Sequence, residues 1–201
     1  MRAFALAPLF LLAACAAQHN GAAAQRPPLG WREAATNDDR ARLRGWRSSF
    51  SDALAAASRA GHAGEIAREG ILLQPDAALV GPAIPNGDYR CRTIKLGAKS
   101  QGLLDFVAYP YFRCRVHGTS FNKLTGSQRL AGRIYPGDAL RQVFLGTLVL
   151  GDETLAMRYG ADRERNVAAH VERIGPARWR MVMPLPHFES QLDVLELVPA
   201  S

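Results

Sequence analysis

Two cysteines sit inside a repeated basic pattern, Tyr89-Arg90-Cys91-Arg92 and Phe112-Arg113-Cys114-Arg115. On a β-strand, alternate side chains face opposite ways. Tyr89 and Cys91 therefore share one face, and so do Phe112 and Cys114. A disulfide between two such strands would align those faces and gather Arg90, Arg92, Arg113 and Arg115 on the other side. Four guanidiniums so placed repel one another unless something negative lies among them. That partner is a carboxylate of the fold such as Asp105 or Glu172, or water at an outer surface, or a bound anionic ligand, since arginine makes bidentate contacts to phosphate and carboxylate. Thr125, Ser127, Arg129 and Arg133 also alternate onto one strand face. A groove gathering both sets would be an anion site. The candidate ligand-binding residues are therefore Arg90, Arg92, Arg113, Arg115, Ser127, Arg129 and Arg133.

Catalytic patterns are weaker. His187, Glu189 and Ser190 lie close in sequence, but a triad is defined by geometry and not by adjacency. Asp152-Glu153 follows Gly151 and reads as a turn. Ser127, in Gly126-Ser127-Gln128-Arg129, lacks the strand-to-helix elbow of a hydrolase. His117, His170 and His187 lack metal-ligand spacing. No phosphate-cradling loop or dinucleotide fingerprint is present. No catalytic residue, metal or cofactor is assigned. A periplasmic, hydrolase-like enzyme using His187 and nearby carboxylates remains one alternative to a non-catalytic binding protein, and a structural or inhibitory interaction protein is the other.

The N-terminus gives an address. Met1-Arg2 is a minimal positive start, and Ala3 to Ala14 is uncharged and apolar apart from Pro8. That length suits a signal-peptide core and falls short of the roughly 20 residues that span a bilayer. Leu12-Ala13-Ala14-Cys15 resembles a lipobox, which makes Cys15 a lipidation site. A cut after Ala22-Ala23-Ala24, before Gln25, is the competing reading. Ala16 after the cysteine favours the outer membrane, with the protein on the periplasmic side of the envelope. Residues 16–30, with Pro27-Pro28 and Gly30, read as a flexible tether.

With Cys15 lipidated or lost, Cys91 and Cys114 remain, and an even count in an oxidising compartment favours a disulfide. Removal of Arg2 leaves 24 of the 25 Lys and Arg against 18 Asp and Glu, a net charge of +6. Arginine outnumbers lysine 22 to 3. A basic surface favours anionic partners such as lipid headgroups. Nucleic acid is a poor candidate for an exported chain without a recognisable binding motif. The remaining partners are the lipid bilayer, through the N-terminal anchor, and an anionic or amphiphilic ligand or an envelope protein.

The elements change character near residue 85. Thr36 with Asp39 three residues on is a capping-box-like start. Leu43, Trp46, Phe50, Leu54 and Ala57 then share one helical face, and Gly61 is a stop. A second helix covers Ala63 to Glu69. From Asp88 the chain reads as short strands between turn residues: Tyr89–Leu96, Phe112–His117, Leu124–Tyr135, Val143–Leu150, Leu155–Tyr159, Val167–Ile174, Trp179–Pro184 and Leu192–Val198. Gly175-Pro176 makes a tight turn. The expectation is an α+β fold, N-terminal helices followed by an antiparallel, barrel-like sheet of about eight strands. By region this gives a signal peptide over 1–14, a tether over 15–30 and a single domain over 31–201, helical over 31–85 and β over 86–201.

The motifs as a set resemble an uncharacterised alphaproteobacterial family, domain of unknown function 4893. They are Tyr89-Arg90-Cys91-Arg92, Ile94-Lys95-Leu96-Gly97, Arg113-Cys114-Arg115, Gly126-Ser127-Gln128-Arg129, Phe144-Leu145-Gly146, Tyr159-Gly160, Glu172-Arg173-Ile174-Gly175, Arg178-Trp179-Arg180 and Leu192 to Leu197, with Trp31-Arg32 and Asp39-Arg40 near the start. The resemblance implies an exported, often lipidated protein with no established activity, in which the two cysteines and the Arg-rich strands belong to the family pattern. Gly87-x-Tyr89 and the strand count also resemble calycin-type barrels, including lipocalins and small envelope protease inhibitors. Lipocalins carry Gly-x-Trp at that point, and fold likeness does not convey function.

Overall fold

The computed structural model describes residues 29–200. The signal-peptide reading over 1–14, the lipidation site Cys15, the alternative cut before Gln25 and nearly all of the tether lie outside the described residues. The chain begins with helices α1 (Trp31–Ala34), α2 (Asn37–Arg44), α3 (Trp46–Ala57) and α4 (Ala63–Glu69). Thr36 caps α2 as its sequence position requires. Its hydroxyl accepts from the Asp39 backbone N–H at 3.1 Å and donates to the Asp39 carboxylate at 2.8 Å, satisfying an otherwise orphaned helix donor. The expected apolar face is divided at Gly45: Phe50 and Ala57 of α3 are buried with Trp46 and Leu54 beside them, whereas Leu43 of α2 is buried in a separate cluster. Gly61 adopts a left-handed φ of 100° between α3 and α4. A side chain there would be strained, which is why the chain turns at a glycine.

Nine strands follow: β1 (Gly87–Ala98), β2 (Phe106–Ala108), β3 (Phe112–His117), β4 (Ser120–Lys123), β5 (Gln128–Tyr135), β6 (Arg141–Leu150), β7 (Asn166–Gly175), β8 (Arg178–Pro184) and β9 (Ser190–Pro199). All pairings are antiparallel. β3 to β9 pair in chain order, and β1 closes the circuit by pairing with β9 along its length and with β3 through its first half. The result is a closed eight-stranded barrel. β2 is a ninth strand on the second half of β1.

Two expectations need correction. The single strand expected over Leu124–Tyr135 starts only at Gln128, and a separate short strand, β4, precedes it. Ser-Phe-Asn-Lys offers too little alternation to announce itself. Leu155–Tyr159 is not a strand. Leu155 is 83% exposed, and the segment is held as a loop because the Tyr159 hydroxyl bonds the buried Asp39 carboxylate and accepts from the Thr36 backbone N–H at 3.0 Å. Its apolar residues imitate a strand without pairing as one.

The barrel wall separates two apolar layers. Inside lie Tyr89, Cys91, Cys114, Val116, Phe121, Ile134, Phe144, Val171, Trp179, Met181, Leu195 and Leu197. Outside, Ile94, Leu96, Ile174, Val182, Leu192 and Val194 receive α3 and the Gly70–Leu73 turn, and Val143, Leu145 and Ala168 receive Leu43 of α2. Cys91 and Cys114 are bonded within the interior, their Cα atoms 6.1 Å apart, a normal span for a disulfide. Gly132 of β5 and Gly146 of β6 face each other across their pairing. A Cβ on either would collide with the partner backbone or with the Phe144 ring. The space they leave admits Phe144, edge-on to Phe121 with centroids 5.6 Å apart. One end of the barrel is thereby filled.

His170 lies on the outer wall of β7, buried beneath α2 and α3. Its Nε2 hydrogen-bonds the Leu43 carbonyl at 3.0 Å, and Trp46 stands edge-on against the ring. Burial holds its pKa below the ordinary histidine value. As pH falls below about 6.5, the unfolded chain takes a proton here that the folded chain refuses, so stability should fall with pH through that range. Urea midpoints between pH 7.5 and 5.5 should decline for the native chain and decline less for His170→Phe. Parallel declines would show that other groups carry the dependence.

Candidate functional site at the open end of the barrel

The opposite end of the barrel is not filled. A cavity of about 460 Å³ opens there, lined by β1, β3, β4, β5, β6, β8 and β9 and by the Tyr109-Pro110-Tyr111 link. The strand period explains its lining. Inward positions of β1 run Tyr89, Cys91, Thr93, Lys95, and those of β9 run Leu197, Leu195, Asp193, so each strand turns from apolar to polar as it nears the opening. Lys95 and Asp193 are direct cross-strand neighbours. Leu130, Leu148, Met183 and Phe112 supply apolar wall.

Lys95 is buried and stands between two carboxylates, 3.0 Å from Glu189 Oε2 and 3.2 Å from Asp193 Oδ2. Burial by itself would lower its pKa, but the two carboxylates hold it above the ordinary lysine value. Asp193 is buried beside it. Burial pushes its carboxyl up, against Lys95 and the Ser190 hydroxyl, which donates to it. Glu189 is more open. Burial would raise it, yet Lys95 and the amide of Gln128, at 3.2 Å, keep it below the usual carboxylate range. Glu189 reaches this place with a φ of 66°, a left-handed conformation in a residue with a Cβ, and Leu185 in the same loop has a φ of 47°. Such geometry costs on the order of 1–3 kcal/mol per residue and must be held by surrounding contacts. Arg42 donates to the Leu185 carbonyl at 3.0 Å, the Lys99 backbone N–H donates to the Glu189 carbonyl at 2.9 Å, and the Lys99 ammonium donates to the Pro186 carbonyl.

Lys123 completes the site. It is inward-facing on β4, opposite Cys114. Its ammonium lies 3.9 Å from the centroid of the Phe112 ring and has no hydrogen-bond or ion-pair partner among the described residues. Burial, with Lys95 and Arg129 nearby and Asp193 opposing, lowers its pKa to about 8.

The seven residues singled out from the sequence are dispersed. Arg90, Arg92, Arg113 and Arg115 do share the outer face of β1 and β3, with Arg90 opposite Arg113. Their negative partners are neither Asp105 nor Glu172. Arg92 pairs with Glu69 and, at 2.5 Å, with Glu196, and Arg115 pairs with Asp88 at 2.5 Å. Arg90 lies over the Tyr111 ring. Arg129 points to the outside, donating to the carbonyls of Gly126, Gly151 and Glu153, and Arg133 lies over Tyr135. Ser127 alone of the seven lines the cavity. His187 is exposed on the β8–β9 loop, and no hydrogen bond joins it to Ser127 or to a carboxylate among the described residues. The sequence reading missed Lys95, Lys123 and Asp193, and weighed Glu189 only as a neighbour of His187 and Ser190. For Lys95 and Asp193 a signal existed: each continues the inward alternation of Cys91 and of Leu195 and Leu197.

A family model described as a domain of unknown function (DUF4893) matches residues 31–197. The chain belongs to this family. The match runs from α1 to within two residues of the end of β9 and so takes in the helices, the barrel, the disulfide and every cavity residue named above. No curated protein and no solved structure matches the chain.

Proposed function

We propose that this protein is a non-catalytic binding module that holds a small amphiphile with an acidic head in the open end of its barrel. The observation that carries this reading is the half-filled barrel. A cavity of about 460 Å³ falls within the roughly 300–1,000 Å³ of small-molecule sites, and it offers apolar wall beside a lysine with no partner among the described residues. Leu130, Leu148, Met183 and Phe112 suit the ligand's apolar body, and Lys123 with Ser127 suits its anionic head. Lys95 is already matched by two carboxylates and is the less available cation.

The address belongs to the same proposal. The lipobox-like Leu12 to Cys15 supports export to the envelope and anchoring on the periplasmic side, in the outer membrane, by a lipid on Cys15. An N-terminal peptide mass carrying acyl chains, lost in Cys15→Ser, would support it. An unmodified N-terminus at Gln25 would overturn it.

Calorimetric titration with decanoate, decanol and decyltrimethylammonium tests the site. Decanoate should bind saturably and more tightly than the other two. Leu148→Trp should weaken it tenfold or more by filling the cavity. Lys123→Ala should cost decanoate about fivefold, in line with a partly solvated charge contact of about 1 kcal/mol, and leave decanol unchanged. Absence of saturable binding by all three probes would sink the reading.

A further inference from the structure

The chain contains three lysines, Lys95, Lys99 and Lys123, and the structure treats them differently. Lys95 is clamped by Glu189 and Asp193. Lys99 is turned outward onto the Pro186 carbonyl. Lys123 faces the cavity, half-buried, beside the Phe112 ring, with no acceptor among the described residues. A desolvated amine beside other cations is the setting in which lysine becomes a nucleophile at neutral pH. The groups around it are Phe112 of β3, Lys95 of β1, Asp193 of β9, Arg129 of β5 and the Gly126–Ser127 turn. Lys95 is the cation inside the barrel with it, Arg129 acts from beyond the wall, and the cavity's two carboxylates, Asp193 and Glu189, are both engaged by Lys95.

We propose that Lys123 captures carbonyl-bearing amphiphiles covalently, as a reversible imine formed inside the barrel mouth. This rests on the cavity being a ligand site and adds a second ligand class, aldehydes, to the acidic amphiphiles that a charged Lys123 suits. The uncharged amine adds to an aldehyde carbon, and a proton passes from nitrogen to oxygen through solvent to give a carbinolamine. Loss of the hydroxyl as water, with the second N–H proton released, leaves the C=N bond. No oxidant or reductant is involved, and water returns both partners. With its pKa lowered to about 8, Lys123 has on the order of a hundredfold more free amine near pH 7.5 than an ordinary lysine. Part of that gain is offset by the weaker nucleophilicity of a less basic amine.

Decanal with sodium cyanoborohydride at pH 7.5 tests the proposal, because hydride reduction turns the imine into a stable secondary amine located by peptide mass spectrometry. Lys123 should be alkylated at least tenfold faster than Lys99. Excess decanoate, which fills the site and cannot form an imine, should suppress the adduct, and Lys123→Arg should abolish it. Comparable labelling of Lys99 and Lys123, or labelling that decanoate does not protect, would overturn the proposal. Decanoate affinity measured separately distinguishes the two failures. Decanoate that binds without selective labelling leaves the cavity a ligand site and removes the imine, whereas no decanoate binding removes both.

Discussion

Arg180→Leu should lower the unfolding free energy by about 3–5 kcal/mol, the cost of leaving a buried ion without its partner. In a chain of this length that corresponds to roughly 10 °C in Tm. Arg180 has no exposed surface, and neither does Glu172, to which it is joined at 2.6 Å. Its other donors reach the carbonyls of Leu72 and Gln74 at 2.7 Å and of Pro75 at 2.9 Å. One side chain thus ties the Gly70–Leu73 turn and the chain after it to the outer wall of β8. Burial lowers its pKa, but a guanidinium remains charged at any ordinary pH. Removing it strands the Glu172 charge with Arg141, at 2.6 Å, and takes the Arg180 donors from the buried Leu72 carbonyl and the part-buried carbonyls of Gln74 and Pro75. Glu172→Gln should cost less, because the amide can still accept from Arg180. Urea denaturation of both variants checks the order, and an Arg180→Leu midpoint within experimental error of the native one would show that the helical layer holds without this anchor.

Cys91→Ala with Cys114→Ala should cost about 3 kcal/mol from the lost constraint on the unfolded chain, given a separation of 23 residues. The change falls on the strands that close the barrel, between the filled half and the cavity, so a void adds to it. Both cysteines are fully buried. Dithiothreitol should therefore leave the folded protein unreduced for far longer than the urea-unfolded one, as counted by free thiols. An unchanged urea midpoint in the double variant would remove the disulfide from the account of stability.

The arginines show how local pattern and tertiary setting divide the evidence. Period two correctly put Cys91 and Cys114 on one face and Arg90, Arg92, Arg113 and Arg115 on the other. What it could not supply was the identity of the neutralising groups. Glu69 comes from α4 and Glu196 from β9, more than a hundred residues beyond Arg92. Carboxylates of the fold do neutralise Arg92 and Arg115, but the two named from the sequence are not the ones, since Glu172 is engaged by Arg180 and Arg141. Short polar β4 failed to declare itself for a similar reason. Its strand conformation comes from pairing on both sides with β3 and β5, not from its own residues. Lys123 was hidden with it.

Local chemistry by itself determined the Thr36 cap, the turn at Gly61, the apolar stripe of α3, seven strand positions and the facing of the two cysteines. Each depends on neighbours a few residues apart along the chain. The tertiary structure alone decided that β1 meets β9, that glycines and two phenylalanines fill one half of the resulting barrel, and that Lys95, Lys123, Glu189 and Asp193 converge on the other half. These depend on strand closure across the whole sequence, which fixes distances between charges that no spacing along the chain encodes.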